Sequence, residues 1–334
     1  MIEGADNAGQ YTLKRPVTKV NNPSLLTSEI PPHLAGLRLD QALAELFPDY
    51  SRNRLQLWIK NGAARLDGET VIPRHKVRGG ETVTLLTEAE AATDIDSEAI
   101  PLDLIHEDES VLIIAKPTGL VVHPAAGHRG GTLQNALLHH DPALATIPRC
   151  GIVHRLDKDT SGLLMVARTL TAHKSLVDQL QARSVHREYL ALVQGAMTGG
   201  GTVDAPLGRH PTDRKRFAVR QGGKPAVTHY RLETRYSDHT LLRVKLETGR
   251  THQIRVHLSH IHYPLVGDPV YGGRLRLPKG AHDTLNQALG HFRRQALHAE
   301  SLGFVHPVSG EWVQWQSALP ADFAGLLQVM GEFS

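Results

Sequence analysis

His154-Arg155-Leu156-Asp157-Lys158-Asp159-Thr160-Ser161-Gly162 lies between two apolar runs, Gly151-Ile152-Val153 and Gly162-Leu163-Leu164-Met165-Val166-Ala167. Each run reads as a short buried strand. A loop between buried strands that carries His, Arg, Lys and two Asp holds its charges beside the core. Charge there costs free energy unless it is paired or put to use. For a bare H-R-x-D tetrapeptide, a charged turn whose Asp caps a backbone N–H is the plain alternative. The full nine-residue string, ending in Thr-Ser-Gly, is far rarer.

The chain has 334 residues, of which 40% are hydrophobic, so two globular domains with a sizeable core are expected. Its one cysteine, Cys150, excludes a disulfide framework, fits a reducing compartment and reads as a buried structural thiol. Met1 to Gln10 is polar and has no secretion signal, and no run of ~18 apolar residues is present to span a membrane. A soluble, cytoplasmic, monomeric protein with no membrane partner is expected.

The net charge is only +3, but it is unevenly spread. Residues 51–80 hold seven basic side chains (Arg52, Arg54, Lys60, Arg65, Arg74, Lys76, Arg78) against Asp67 and Glu69. Residues 87–110 hold nine acids and no Lys or Arg. Residues 209–224 hold six basic side chains (Arg209, Arg214, Lys215, Arg216, Arg220, Lys224) against Asp213. Two basic patches separated by an acidic stretch point to a polyanion gripped at two places.

Residues 1–33 are polar and proline-rich, which predicts a flexible extension. Leu39, Leu43, Leu46 and Phe47 recur at helical spacing, and Ser51 is placed to cap a second helix, 52–60, closed by Asn61-Gly62. A short strand, an Asp67-Gly68 turn, a second strand near 70–72, a Gly79-Gly80 turn and a strand at 82–86 follow. Residues 34–86 therefore form a small αα-β unit, and 87–100 an acidic linker. Residues 101–334 form a second domain with strands at 102–106, 111–115, 187–193, 226–236, 240–247, 296–305 and 312–316. Its helices are placed at 132–140, 170–182 and 251–260, with a surface insertion at 274–294. The fold class is α+β, with a mixed, mainly antiparallel sheet flanked by helices.

The small unit resembles an S4 RNA-binding domain in Arg38-Leu39-Asp40, Ser51-Arg52, Asn61-Gly62 and Val77 through Gly79-Gly80. It departs at Leu66-Asp67-Gly68, where that family has a neutral Asn in place of the Asp. The larger domain resembles the RluA family of pseudouridine synthases, whose catalytic loop matches His154–Gly162. Three more segments match: Lys116-Pro117 with Gly119–Pro124, Arg187-Glu188-Tyr189, and Gly249-Arg250-Thr251-His252-Gln253-Ile254-Arg255-Val256-His257. Gly267-Asp268-Pro269-Val270-Tyr271-Gly272 follows, as in the family.

The resemblance implies a catalytic Asp157, an Arg255 that pairs with it, and a Tyr189 that lines the site. Glu45–Arg52 and Gly223–Tyr230 are most similar to members that modify a hairpin, helix 69, of 23S ribosomal RNA, so that RNA or a large-subunit precursor is the implied partner. A uridine in a hairpin must be flipped out to be reached, and Arg155 is the candidate to fill the gap. His154, Arg52, Arg54, Lys60, Arg214, Lys215 and Arg216 complete the expected RNA contacts.

Isomerisation involves no redox change and no external group, so no cofactor is expected, and neither GxGxxG nor a Walker loop is present. Asp157 either attacks C1′ or removes the 2′-hydrogen; the residues leave both paths open. The 21 histidines, among them His252, His257, His260, His262 and the pair His139-His140, form neither HExxH nor a Cys/His cluster, so no metal is expected. Three other readings remain open at this point. One is a tRNA or another rRNA target. A second is a nucleoside or RNA glycosidase using Asp157 with Asp159. The third is a non-catalytic RNA-binding factor.

Overall fold

The structure, a computed structural model, describes residues 24–47, 50, 52–87, 96–124, 130–213, 216–275, 277–278 and 280–333, without the side chains of Ser24, Asn53, Arg54 and Thr87. The chain divides into two compact units after Ala91.

In the first unit, β1 (Ser24–Glu29), β2 (Ala64–Leu66) and β3 (Thr82–Thr87) make an antiparallel sheet in the order β1-β3-β2. It packs with α1 (Leu39–Leu46) and α2 (Arg52–Lys60). Leu39 with Leu43 and Leu55 with Ile59 stand one helical turn apart, and together with Trp58, Val83 and Leu85 they fill one buried cluster.

Two expectations need correction here. The extension does not reach residue 33, because Ser24–Glu29 pairs residue by residue with Thr82–Thr87, and Ile30 is fully buried. The partner strand lies far along the chain, so local periodicity carries no trace of the pairing. The strand expected at 70–72 is absent. Asp67 and Gly68, both at positive φ, close a tight turn between Leu66 and Glu69, and the chain then leaves the sheet. The Asp67 carboxylate accepts the Thr82 N–H at 2.8 Å, so the acid that departs from the S4 pattern ties the turn to β3. Residues 1–23, the Ser51 cap and residues 88–95 of the acidic stretch lie outside the described residues.

The second unit carries a nine-stranded sheet in the order β4-β5-β6-β13-β7-β12-β11-β8, with β14 also paired to β13. In chain order its strands and helices are β4 (Leu104–Glu107), β5 (Val111–Lys116), α3 (Leu133–His140), β6 (Ser161–Ala167), α4 (Leu170–Gln181) and β7 (His186–Gln194). Next come β8 (Gly201–Asp204), β9 (Leu207–Arg209), β10 (Phe217–Val219), β11 (Val227–Arg235), β12 (His239–Leu246) and α5 (Gln253–His260). The chain closes with α6 (Asp283–His291), β13 (Leu297–Val305), β14 (Trp312–Gln316) and α7 (Ala321–Phe333). β9 and β10 form a separate two-stranded ribbon. All sheet pairs are antiparallel except β6 with β13.

The apolar run of β6 is buried from end to end, as a central strand requires. The run before the charged loop is not a strand. Pro148–Gly151 is a short 3-10 turn with Arg149 and Cys150 at positive φ, and Ile152 makes only an isolated bridge to Val166. Residues 274–294 are more than a surface insertion: α6 buries Leu285 and Leu289 against Phe323, Leu326 and Met330 of α7. Among the described residues no helix is long and apolar enough to cross a membrane.

Gly162 lies where β6 runs parallel to β13, at φ 110°, and a Cβ there would stand 2.2 Å from the Ala299 carbonyl oxygen. Both backbone and space exclude a side chain. Gly162→Ala should therefore lower the melting temperature by roughly 6–12 °C, the equivalent of about 3 kcal/mol in a unit of this size. Differential scanning calorimetry reads the shift directly, and an unchanged melt would contradict the close approach.

Candidate active site

The loop from Ile152 to Thr160 is anchored at several points. His154 Nε2 accepts the Met165 N–H of β6 at 3.1 Å. Thr160 donates its N–H to the Asp157 carbonyl, and its hydroxyl accepts from Gln295 at 3.1 Å. The Lys158 carbonyl accepts from the Gly119 N–H at 3.0 Å and from Lys116 Nζ at 2.9 Å. Lys116 is buried at the end of β5 and also donates to the carbonyls of Pro117 and Leu120. Burial pushes its ammonium down to about 8, against the pull of Asp159 and Asp157 and with the push of Arg294. The Lys116-Pro117 segment and the charged loop are thus tied through one buried cation.

Asp157 meets α5 across a cleft. Arg255 Nη1 donates to Asp157 Oδ2 at 3.0 Å, while its Nε and Nη2 donate to Asp268 at 2.8 and 2.9 Å. Asp268 has no exposed side-chain surface, and its Oδ1 also accepts the N–H groups of Val270 and Tyr271. Burial opposes the charge on both members of the pair. Their mutual bonds outweigh it, raising Arg255 above and lowering Asp268 below its ordinary value. Asp157 is the more open end, with 15% of its side chain exposed, and its Oδ1 lies 3.9 Å from His252 Nε2.

The cleft beside Asp157 holds about 520 Å³, ordinary for a small-molecule or nucleotide pocket. Tyr189, on β7, lines it with only 6% of its surface exposed. Burial raises the phenol, with the Arg187 charge opposing and the Asp157 charge adding. Arg149, Arg155, Arg187 and Arg250 supply positive charge around the same cleft. Arg187 is the unusual one. It is 6% exposed, it donates to the Glu247 carbonyl, and its Nε has no partner. Burial lowers its guanidinium from the ordinary value. An unbalanced cation of this kind favours an anionic visitor.

The chain matches the family described as RNA pseudouridylate synthase over residues 110–260 and the S4 domain over 37–83. Ribosomal large subunit pseudouridine synthase D of Xanthomonas campestris pv. campestris is 57% identical over 311 residues, 93% of this chain and 94% of that protein. Its namesake in Escherichia coli K12 is 53% identical over 306 residues, 91% and 94% of the two chains. The chain belongs to the RluA family of RNA pseudouridine synthases. A solved member of the fold, human RNA pseudouridylate synthase domain containing 4, superposes with a TM-score of 0.54 at 24% identity, over 70% of this chain and 94% of that one.

In this synthase, Asp157, Tyr189, Arg255 and Arg155 meet at one cleft, and Arg155 is exposed on it. His154 lines the same cleft and is half-buried. Its ring anchors the loop to β6, and burial, with the Arg187 charge, pushes it down to about 3, so it is neutral. Arg52 is exposed but already engaged, donating to the buried carboxylate of Asp40 at 2.9 and 2.7 Å beside Arg38. Lys60 is exposed at the end of α2. Arg216 lies 5.3 Å over the Tyr271 ring. Arg214, Lys215 and the Arg54 side chain lie outside the described residues. Asp159 does not line the cleft. Among the described residues no three His, Cys, Asp or Glu side chains gather as for a metal; the His257 nitrogens face the Thr228 hydroxyl and the Ala205 carbonyl.

Sequence reasoning gave no role to Asp268, His252 or Arg187. All three stand in quoted motifs, but their partners lie on other segments.

Lys116 provides a test of the loop anchorage. Its folded-state value is below the unfolded one, so between pH 8 and about 10.4 the unfolded chain holds the proton more tightly. Raising the pH through that window therefore favours the folded state. The unfolding free energy of wild type minus that of Lys116→Met should increase from pH 8 to about 10.4 in paired denaturant titrations. A difference that is flat or falls with pH would show that the ammonium is not buried.

Proposed function

We propose that this synthase isomerises uridines of large-subunit ribosomal RNA, on a 23S hairpin of the helix 69 type, with Asp157 as the group that acts at the ribose. One observation carries the chemistry. Arg255 binds Asp157 Oδ2 and leaves Oδ1 facing the cleft. A carboxylate fixed by one oxygen and open at the other is ready either to attack C1′ or to take the 2′-hydrogen. Glycoside cleavage normally employs a second carboxylate as leaving-group acid. Here the other nearby acid, Asp268, is fully engaged with Arg255 and two backbone N–H groups. Uracil can depart as a delocalised anion, so one carboxylate suffices. This also disfavours a glycosidase that would need Asp159.

Tyr189 provides a ring for the extracted uracil and sets its hydroxyl near C5, where a proton is finally lost. Arg155, exposed at the cleft, fills the place of the flipped base. The reaction is a cytoplasmic isomerisation by a monomer and requires no cofactor. The choice of RNA rests on the relatives' names and on the S4 unit, whose exposed Arg38, Arg52 and Lys60 offer phosphate contacts. Pseudouridine mapping of ribosomal RNA from cells lacking the protein tests the target: the sites lost should lie in a 23S hairpin, and loss confined to tRNA would replace it.

Asp157→Asn keeps the size of the side chain and removes its charge. Pseudouridine formation on the target hairpin should fall by about 10³-fold or more, with RNA affinity nearly unchanged. Activity within roughly tenfold of wild type would remove Asp157 from its role.

The S4 unit should act through binding. A tethered second contact raises effective concentration without touching the chemistry. Deleting residues 1–91 should weaken RNA binding and flatten its salt dependence as phosphate contacts are lost. The single-turnover rate at saturating RNA should fall far less than for Asp157→Asn. Equal affinity and equal salt slope in the two proteins would mean that the unit does not touch this RNA.

A further inference from the structure

His252 is the feature of the cleft that the scheme above leaves unused. Its Nε2 lies 3.9 Å from Asp157 Oδ1, the oxygen that Arg255 leaves open. That is too far for a direct hydrogen bond. It is close enough that a nucleoside atom next to one touching Oδ1 would come within reach of Nε2.

The tautomer follows from the neighbours. His252 Nδ1 stands 2.8 Å from the Tyr271 hydroxyl, and that oxygen already accepts the Phe217 N–H at 2.9 Å. The phenol's own proton needs an acceptor, and Nδ1 is the one in place. Tyr271 therefore donates to Nδ1, and His252 carries its proton on Nε2, facing Asp157. The backbone adds a second observation. His252, the residue before α5, has φ 58° and ψ 20°, a left-handed conformation that costs a side-chain-bearing residue about 1–3 kcal/mol and gathers at functional sites. Asp157 is the sole acid among the described residues that line the cleft.

We propose that His252 is a further catalytic residue, whose Nε2–H donates a hydrogen bond to O2 of the uracil as the N1–C1′ bond breaks. The inference rests on Asp157 acting at the ribose. As the bond breaks, its electron pair stays with the base and spreads over N1, O2 and O4. The positive charge left at C1′ is met either by bonding to Oδ1 or by loss of the 2′-hydrogen to it. His252 keeps its proton, so the bond strengthens as charge builds on O2 and needs no reprotonation before C5 joins C1′. Burial keeps the imidazole neutral; Arg255 and Arg155 reinforce this, while Asp157 and Asp268 oppose it. Tyr271, which Arg216 and Arg255 flank, supplies the fixed partner on the far side. A neutral donor of this kind takes the place of the leaving-group acid that the cleft lacks.

The experiment compares single-turnover rates at saturating RNA on one target hairpin carrying either uridine or 5-fluorouridine. The fluorinated base leaves as a more stable anion and needs less help. His252→Ala should slow cleavage of the uridine N-glycosidic bond by about 100-fold, with RNA affinity little changed. The loss should shrink to about tenfold or less on 5-fluorouridine. His252→Gln, which keeps an N–H donor, should lose less than His252→Ala, and Tyr271→Phe should show the same substrate-dependent pattern more weakly. Asp157→Asn should lose both substrates alike, so a failure of the Asp157 reading shows itself separately. An equal loss on the two substrates, or a loss confined to affinity, overturns the proposal. Should His252→Ala fail to fold by thermal melt, wild-type rates on uridine for both His252→Gln and Tyr271→Phe would overturn it equally.

Discussion

Arg255 is shared between two carboxylates, and the site depends on that sharing. Its Nε and Nη2 are committed to Asp268, which is itself held by two backbone N–H groups. Only Nη1 remains, and it reaches Asp157 at 3.0 Å. The guanidinium is thus aimed before any RNA arrives. Removing one partner of a buried ion pair typically costs about 3–5 kcal/mol, because the other charge is stranded. The arrangement is therefore both an anchor for α5 against the Gly267–Gly272 segment and the device that fixes Asp157. Such preorganisation is what a site needs when it must stabilise charge that exists only during reaction.

The loop that carries Asp157 is held with the same economy of parts. Lys116 caps three carbonyls, one of them in the loop, and His154 accepts a backbone N–H from the strand that follows. Both are ionisable groups whose burial weakens the charged form, and both do structural work. The positive charge on the cleft itself lies on its arginines, of which Arg187 is buried with an unpartnered Nε. The first unit shows a related device. Asp40, without exposed side-chain surface, holds Arg38 and Arg52, and each of these keeps nearly half of its side chain in solvent. Two guanidiniums mounted on one buried acid lose less entropy on meeting phosphate than free side chains would.

Where local pattern and structure differ, the cause is a common one. The pattern makes Ser24–Glu29 part of an extension and Gly151–Val153 a strand. A strand's identity depends on its partner, and neither partner is local. The partners of His154 and Arg52 are equally non-local: a backbone N–H on β6 fixes the one, and a buried Asp on α1 holds the other while leaving it exposed. α7 was not assigned at all, although Phe323, Leu326 and Met330 have helical spacing, because the face they cover is built by α6.

By itself the sequence determined the chemistry-bearing string around Asp157, the α+β class, the S4-like unit and the family. Each of these is written in short windows, as residue types at fixed spacing or as apolar periods of two and 3.6. Only the tertiary structure decided how the charges are shared. That Arg255 divides itself between Asp157 and Asp268, that Lys116 holds the loop, and that His252 turns Nε2 toward Asp157 while Tyr271 holds its other side all depend on side chains from distant segments. Electrostatic partnership acts through a few ångströms of space and leaves no periodic mark along the chain.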